Sequence, residues 1–170
     1  PRVADRAPPD DTDALLAPAR AADAPAERLR LYAEVIERAP RCRAAYVELA
    51  SLCRAEADHL EDGLDVFEQV VARAPRWGLA WKLLGQLHTD AGNDERAYDA
   101  LHRATDLGLQ SDRLSDQLKA DNLLALVDFC NQRQWYDRAL EHVERLLELQ
   151  PDHPAGRALR GLLVLQVDRD

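Results

Sequence analysis

The chain has 170 residues, 46% of them hydrophobic, which suits one domain with a buried core. A net charge of −9 at pH 7 opposes phosphate contacts and excludes nucleic-acid binding, and no apolar run approaches the ~18 residues that a membrane span needs. Aromatic residues are only 5% and Met is absent, while Ala, Leu, Glu and Arg abound; these lose little side-chain freedom in a helix, so the chain reads as all-α.

Residues 1–26 hold five prolines, nine alanines and five aspartates, the composition of an arm or linker. The start at Pro1, without Met, reads as an excised or processed piece. Within the arm Thr12 is placed to cap a short helix carrying Leu15, Leu16, Ala19 and Ala22, although Pro18 inside it costs about 3 kcal/mol unless the helix kinks. A degenerate leading helix is therefore the alternative to a plain arm. From Glu27 to Ala39, Leu29, Leu31, Tyr32, Val35 and Ile36 keep helical spacing and stop at Pro40. Arg43 to Arg54 carries Tyr46, Leu49, Ala50 and Cys53 on one stripe, and Glu61 to Ala74 answers with Leu64, Phe67, Val70 and Val71.

Gly78 to Ala91 and Asp94 to Asp106 repeat this arrangement, with Gly92-Asn93 supplying the turn. A surplus of residues then falls in Leu109 to Lys119. No Pro or Gly intervenes between Ser111 and Cys130, which predicts a helix starting about two turns early rather than a separate short helix. Leu114 and Leu118, one turn apart in it, read either as an exposed contact surface or as padding for the neighbouring helices. Tyr136 to Leu149 closes at Pro151, and Pro154 opens a last helix, Ala155 to Asp168. Its Leu159, Leu162, Leu163, Val164, Leu165 and Val167 are apolar on too many sides for a terminal cap, so it expects a missing partner helix or another chain.

Sliding the sequence against itself places Tyr46, Trp81 and Leu123 in one column, Leu49, Leu84 and Leu126 in a second, and Gly63, Ala97 and Ala139 in a third, with Pro75 and Pro151 closing. A glycine inside a helix costs roughly 1 kcal/mol relative to Ala. Gly63 and Gly85 in helical patterns therefore predict a close approach of paired helices, aided by Ala50, Ala97 and Ala139. The run Trp81-x-x-Leu84-Gly85-x-x-His88, followed by Ala97 and Leu101, resembles a tetratricopeptide repeat, with His88 in place of the usual Tyr and Leu109 in place of the closing Pro. The resemblance implies an all-α, right-handed superhelical solenoid of antiparallel helix pairs, about three full repeats plus flanking half repeats. Its domain spans 27–170, as a half unit 27–42, units 43–77, 78–111 and 120–153, and a partial unit 154–170.

No catalytic constellation stands out. Cys42, Cys53 and Cys130 show no CxxC spacing, and Cys53 and Cys130 share the column of His88, where a thiol packs as a small apolar group. His59, His88, His102, His142 and His153 are scattered without a metal or nucleophile motif. Glu61, Asp62 and Asp65 crowd a helix start, where they favour the dipole. Glu34 with Arg38, Asp99 with Arg103 and Glu141 with Arg145 are i, i+4 pairs of a solvated face. No cofactor, metal site or enzymatic activity is assigned. The odd cysteine count favours a reducing compartment, hence the cytoplasm, with export after signal removal left open.

By the resemblance, the chain is a non-catalytic scaffold or adaptor that holds a peptide or protein on the concave face of its first helices. The ligand-facing positions are Val47, Ser51 and Arg54; Lys82, Gln86 and Asp90; and Asp121, Leu124, Asp128 and Asn131. Val47, Ser51 and Asp121 stand where one subfamily has the Lys and Asn side chains that grip a peptide carboxylate, so that clamp is not expected. The mixed charge suits a peptide of both signs or a helix. The alternatives are self-association into a homo-oligomer through the last helix, or a regulatory domain of a larger enzyme.

Overall fold

In a computed structural model residues 12–168 are described, and every regular element among them is helical. The helices are α1 (Thr12–Ala21), α2 (Pro25–Arg38), α3 (Arg43–Ala55), α4 (Leu60–Arg73), α5 (Gly78–Asp90), α6 (Asp94–Leu109), α7 (Asp116–Gln132), α8 (Tyr136–Leu149) and α9 (Pro154–Val167). None is long and apolar enough to cross a membrane. The chain divides into two compact bodies, Pro1–Ala97 and Tyr98–Asp170, with the division inside α6.

In the N-terminal body α1 packs on α2, α2 on α3, and α5 on both α3 and α4. The helix α1 continues through Pro18 and buries Leu16 and Ala19 completely, three residues apart on one face. Residues 1–11, the rest of the expected arm, lie outside the described residues. The core takes Tyr32, Val35 and Ile36 from α2, Leu49 and Cys53 from α3, Leu64, Phe67 and Val71 from α4, and Leu83, Leu84 and Leu87 from α5. These recur at three or four residue steps, the spacing that one buried helical face requires.

Gly63 explains its own presence. A β-carbon built there would stand 2.7 Å from Cys53 Sγ and 2.9 Å from Cys53 Cβ, closer than real contacts allow, so α4 lies against α3 only because the side chain is missing. Trp81, by contrast, is half-buried rather than enclosed in the core.

In the C-terminal body α7 packs on α8 and α8 on α9. Ala120, Leu123 and Leu146 form a buried cluster, against which Leu109, Leu124 and Leu149 pack. The early start expected for α7 shrinks from two turns to about one, because Ser115 caps it: its hydroxyl accepts the Leu118 N–H at 3.3 Å. The preceding residues turn instead, with the Ser111 hydroxyl accepting the Arg113 N–H at 3.2 Å. A capping serine ends the extension that the absence of Pro and Gly left open. The two leucines of this stretch also part ways. Leu114 packs against Gly108, its Cδ1 3.3 Å from where a β-carbon would be, while Leu118 is 51% exposed. Helix α6 runs to Leu109, three residues beyond the expected Asp106.

Among the described residues, each body has one left-handed position, at the same point of the repeat. Gly92 follows α5 with φ +71° and Gln134 follows α7 with φ +61°. The next backbone N–H then reaches back to the helix, Asn93 to His88 at 2.9 Å and Trp135 to Cys130 at 3.0 Å. This six-residue closure satisfies carbonyls that a helix end would otherwise leave open.

Candidate functional site

The N-terminal body presents Val47, Ser51 and Arg54 on α3, and Lys82, Gln86 and Asp90 on α5. Gln86 is half-buried and the other five are exposed. Since α3 and α5 pack side by side, the two rows form one surface, and Arg54 Nε donates to Asp90 Oδ2 at 2.5 Å across it. Both groups stay partly in water, so the pair contributes little stability, at most about 1 kcal/mol. Its main effect is to neutralise both of its charges, while Lys82 on α5 stays exposed.

Ser51 also borders a hollow of about 290 Å³ between Arg20, Arg28, Tyr32, Glu48 and Glu56. The Arg20 guanidinium grips Glu48 with two bonds, Nε to Oε2 at 2.9 Å and a second nitrogen to Oε1 at 2.5 Å, and the Tyr32 hydroxyl donates to Oε2 at 2.9 Å. Arg20 holds the Glu48 carboxyl below the usual carboxylate range, while burial first and Glu48 second push the Tyr32 hydroxyl up. Arg28 Nε is buried beside this network without a hydrogen-bond partner. Sequence reasoning did not bring Arg20 or Tyr32 to this surface; the signal available was Leu15 and Leu16 at core positions, which makes α1 a packed helix.

The C-terminal body carries Asp121, Leu124, Asp128 and Asn131 on α7. Asp121, Asp128 and Asn131 are exposed, and Asp121 accepts from Gln117 Nε2 at 2.9 Å, one turn back. Leu124 is half-buried and packs on the Ala120, Leu123 and Leu146 cluster, so part of it serves the core.

Two of the histidines read as scattered come together. Tyr98 and His102 of α6 stack at 5.6 Å with planes 7° apart, and the fully buried His142 of α8 lies 5.3 Å from His102. The Tyr98 hydroxyl is 3.1 Å from His142 Nε2. Burial first, then His102 and Arg145, push His142 down to about 4, and burial pushes Tyr98 up to about 12. Arg145, which sequence spacing pairs with Glu141, reaches across to α6 and donates to Asp106 at 2.5 Å, with His102 Nε2 at 3.2 Å. His142 itself has no exposed surface and stands beside a phenol that burial keeps protonated. Among the described residues no three His, Cys, Asp or Glu side chains converge as metal ligands. The cysteines are free and buried, and burial pushes Cys53 and Cys130 to about 11, against thiolate chemistry.

No protein-family model and no curated protein matches the sequence. Solved structures do. A putative kinesin light chain from Podospora anserina with nearly identical TPR-like repeats superposes with TM-score 0.62 at 16% identity, covering 94% of this chain and 90% of that one. The TPR protein TTC0263 of Thermus thermophilus gives 0.57 at 20% identity over 92% and 83%. MamA from Desulfovibrio magneticus RS-1 gives 0.55 at 19% identity over 86% and 79%. The chain therefore has a tetratricopeptide-like, all-α helical-repeat fold.

Proposed function

We propose that this protein is a non-catalytic interaction scaffold, an adaptor that holds a peptide or protein segment on the face of its first helices. What supports the reading is that α3 and α5 pack together, that Val47 and Ser51 on one and Lys82 on the other are exposed, and that the Arg54–Asp90 pair bridges the two helices. Backbone-spaced rows of short polar and apolar side chains suit an extended or helical segment of mixed charge. Asp121, Asp128 and Asn131 on α7 are the corresponding row of the C-terminal body. The helical-repeat fold supports the coarser part of this reading, a protein-protein interaction scaffold.

The test is co-purification from the native source with mass spectrometry, comparing the chain with Lys82→Glu and Asp128→Lys variants. Both residues are exposed, so melting should not change, while capture of the same partner should fall. Capture unchanged in both variants sinks the assignment. A second reading, self-association, is favoured by Leu162 and Leu165, which are 61% and 56% exposed on α9. A chain that sediments as a monomer at high concentration excludes it.

A further inference from the structure

The hollow beside Ser51 holds two arginines in different states. Arg20 is committed: two of its nitrogens hold Glu48 and the third donates to Asp13 at 2.8 Å. Glu48 in turn accepts twice from Arg20 and once from Tyr32, so this side of the hollow is closed and offers no charge to a ligand. Arg28 is not committed. It lines the same hollow from α2, one turn before Tyr32, and makes no ion pair among the described residues. The residues three and four places from it, Ala24, Pro25, Leu31 and Tyr32, include no acid. Its guanidinium faces the Tyr32 hydroxyl, a neutral oxygen whose proton goes to Glu48, and its Nε is buried with no acceptor. Buried N–H groups nearly always find an acceptor, and a guanidinium without one forgoes strong charge-assisted bonds.

The walls limit what that acceptor is. Arg28 presents a planar fork, which matches a carboxylate with two parallel bonds. A doubly charged phosphate suits the hollow less, because the two arginines are balanced by Glu48 and by Glu56, which lines the hollow exposed and without an ion pair. Helix α3 adds the Ser51 hydroxyl as a donor, with Leu52 and Ala55 as an apolar wall for a short methylene stem. At about 290 Å³ the hollow takes one side chain rather than a larger ligand. Ser51 belongs both to this hollow and to the surface on α3, so a segment lying on α3 passes its mouth.

We propose that the hollow is a subsite of that surface, and that Arg28 and Ser51 receive in it a carboxylate carried by an Asp or Glu side chain of the docked segment. The inference rests on the scaffold reading and names one residue type that the partner must bring.

The test is nuclear magnetic resonance of the isotope-labelled full chain, reading the arginine Nε–H signals and the backbone amides of Ser51 and Leu52. The probes are acetyl-Ala-Glu-Ala-amide, its Gln counterpart and free glutarate. The Arg28 Nε–H signal, identified by its loss in Arg28→Gln, should move with the Glu peptide and saturate with a dissociation constant of about 10 mM or tighter. The Gln peptide should leave it still. Arg28→Gln should weaken the amide response at least about tenfold, whereas Arg30→Gln, which removes an arginine of the same helix that Glu34 already holds, should not change it. Glu56→Gln should tighten binding about twofold because a repelling charge leaves the hollow, a gain that a misfolded variant cannot give. The proposal is overturned by a Glu-peptide response that does not saturate below about 50 mM, by equal movement with the Gln peptide, or by an Arg28→Gln affinity within about twofold of wild type. Glutarate binding without binding of the Glu peptide also overturns it, making the ligand a free acid. No partner enters this titration, so its failure removes the subsite alone, whereas partner capture by the Lys82→Glu and Asp128→Lys variants judges the docking surface.

Discussion

The indole Nε1 of Trp81 donates to the Pro75 carbonyl at 3.0 Å, tying the start of α5 to the turn that precedes it. Tyr46 makes the same bond to Pro40 with a different donor at the same repeat position. Trp81 is only half-buried, so this bond from its polar tip carries part of the work of the column. Trp81→Phe and Tyr46→Phe keep most of the ring and remove the donor. Each should cost about 1 kcal/mol, the net worth of one such bond. Thermal melts should fall by roughly 2–4 °C in each case; no change would mean that water replaces the donor at no loss.

The close approach of Gly63 to Cys53 predicts a coupled pair. Gly63→Ala should destabilise by about 1–3 kcal/mol despite the better helix propensity of Ala, because overpacking forces α3 and α4 apart. Cys53→Ala removes the Sγ at 2.7 Å but leaves the Cβ at 2.9 Å, so the double variant should recover part of the loss. A urea-denaturation double-mutant cycle should give a coupling of at least about 0.5 kcal/mol. Strict additivity would show that the two helices move apart freely.

Gln134 holds a left-handed conformation that its counterpart Gly92 adopts without a Cβ penalty. That penalty is about 1–2 kcal/mol for an L side chain. Gln134→Gly should therefore stabilise the chain by about 1 kcal/mol, after the extra entropy of an unfolded glycine is subtracted. Gly92→Ala should do the reverse. Paired melting curves check both, and a lower melting temperature for Gln134→Gly would remove the argument.

Acid should weaken the C-terminal body through His142. Its folded value lies near 4 against 6.5 for the free side chain, so the unfolded chain takes up the proton first. Stability is whole above pH 6.5 and is lost as pH falls toward 4, by up to about 3 kcal/mol. Of the groups around it, Asp106 opposes this fall while His102 and Arg145 reinforce it. His142→Gln should flatten the difference between melts at about pH 7 and about pH 5. An equally steep pH dependence in that variant would place the sensitivity elsewhere.

Helix positions and the buried stripe were readable along the chain because both depend on neighbours three or four residues apart. Gly63 announced a close approach, since a glycine in a helix needs a reason. The resemblance to the repeat family put Ser51, Lys82 and Asp128 beside the core stripe, and all three are exposed. Other features depend on residues far apart in sequence. His102 meets His142, Arg145 chooses Asp106, and Arg54 meets Asp90 only once helices pack. The start of α7 turned on one serine hydroxyl competing with helix extension, and Leu124 was drawn partly into the core by Leu146 of the next helix. Local spacing dictated which face each helix would bury, because that choice is set within a few turns. Packing alone decided which charges were paired, which histidine lost its water and which face of α9 stayed open, because those outcomes depend on what a neighbouring helix brings.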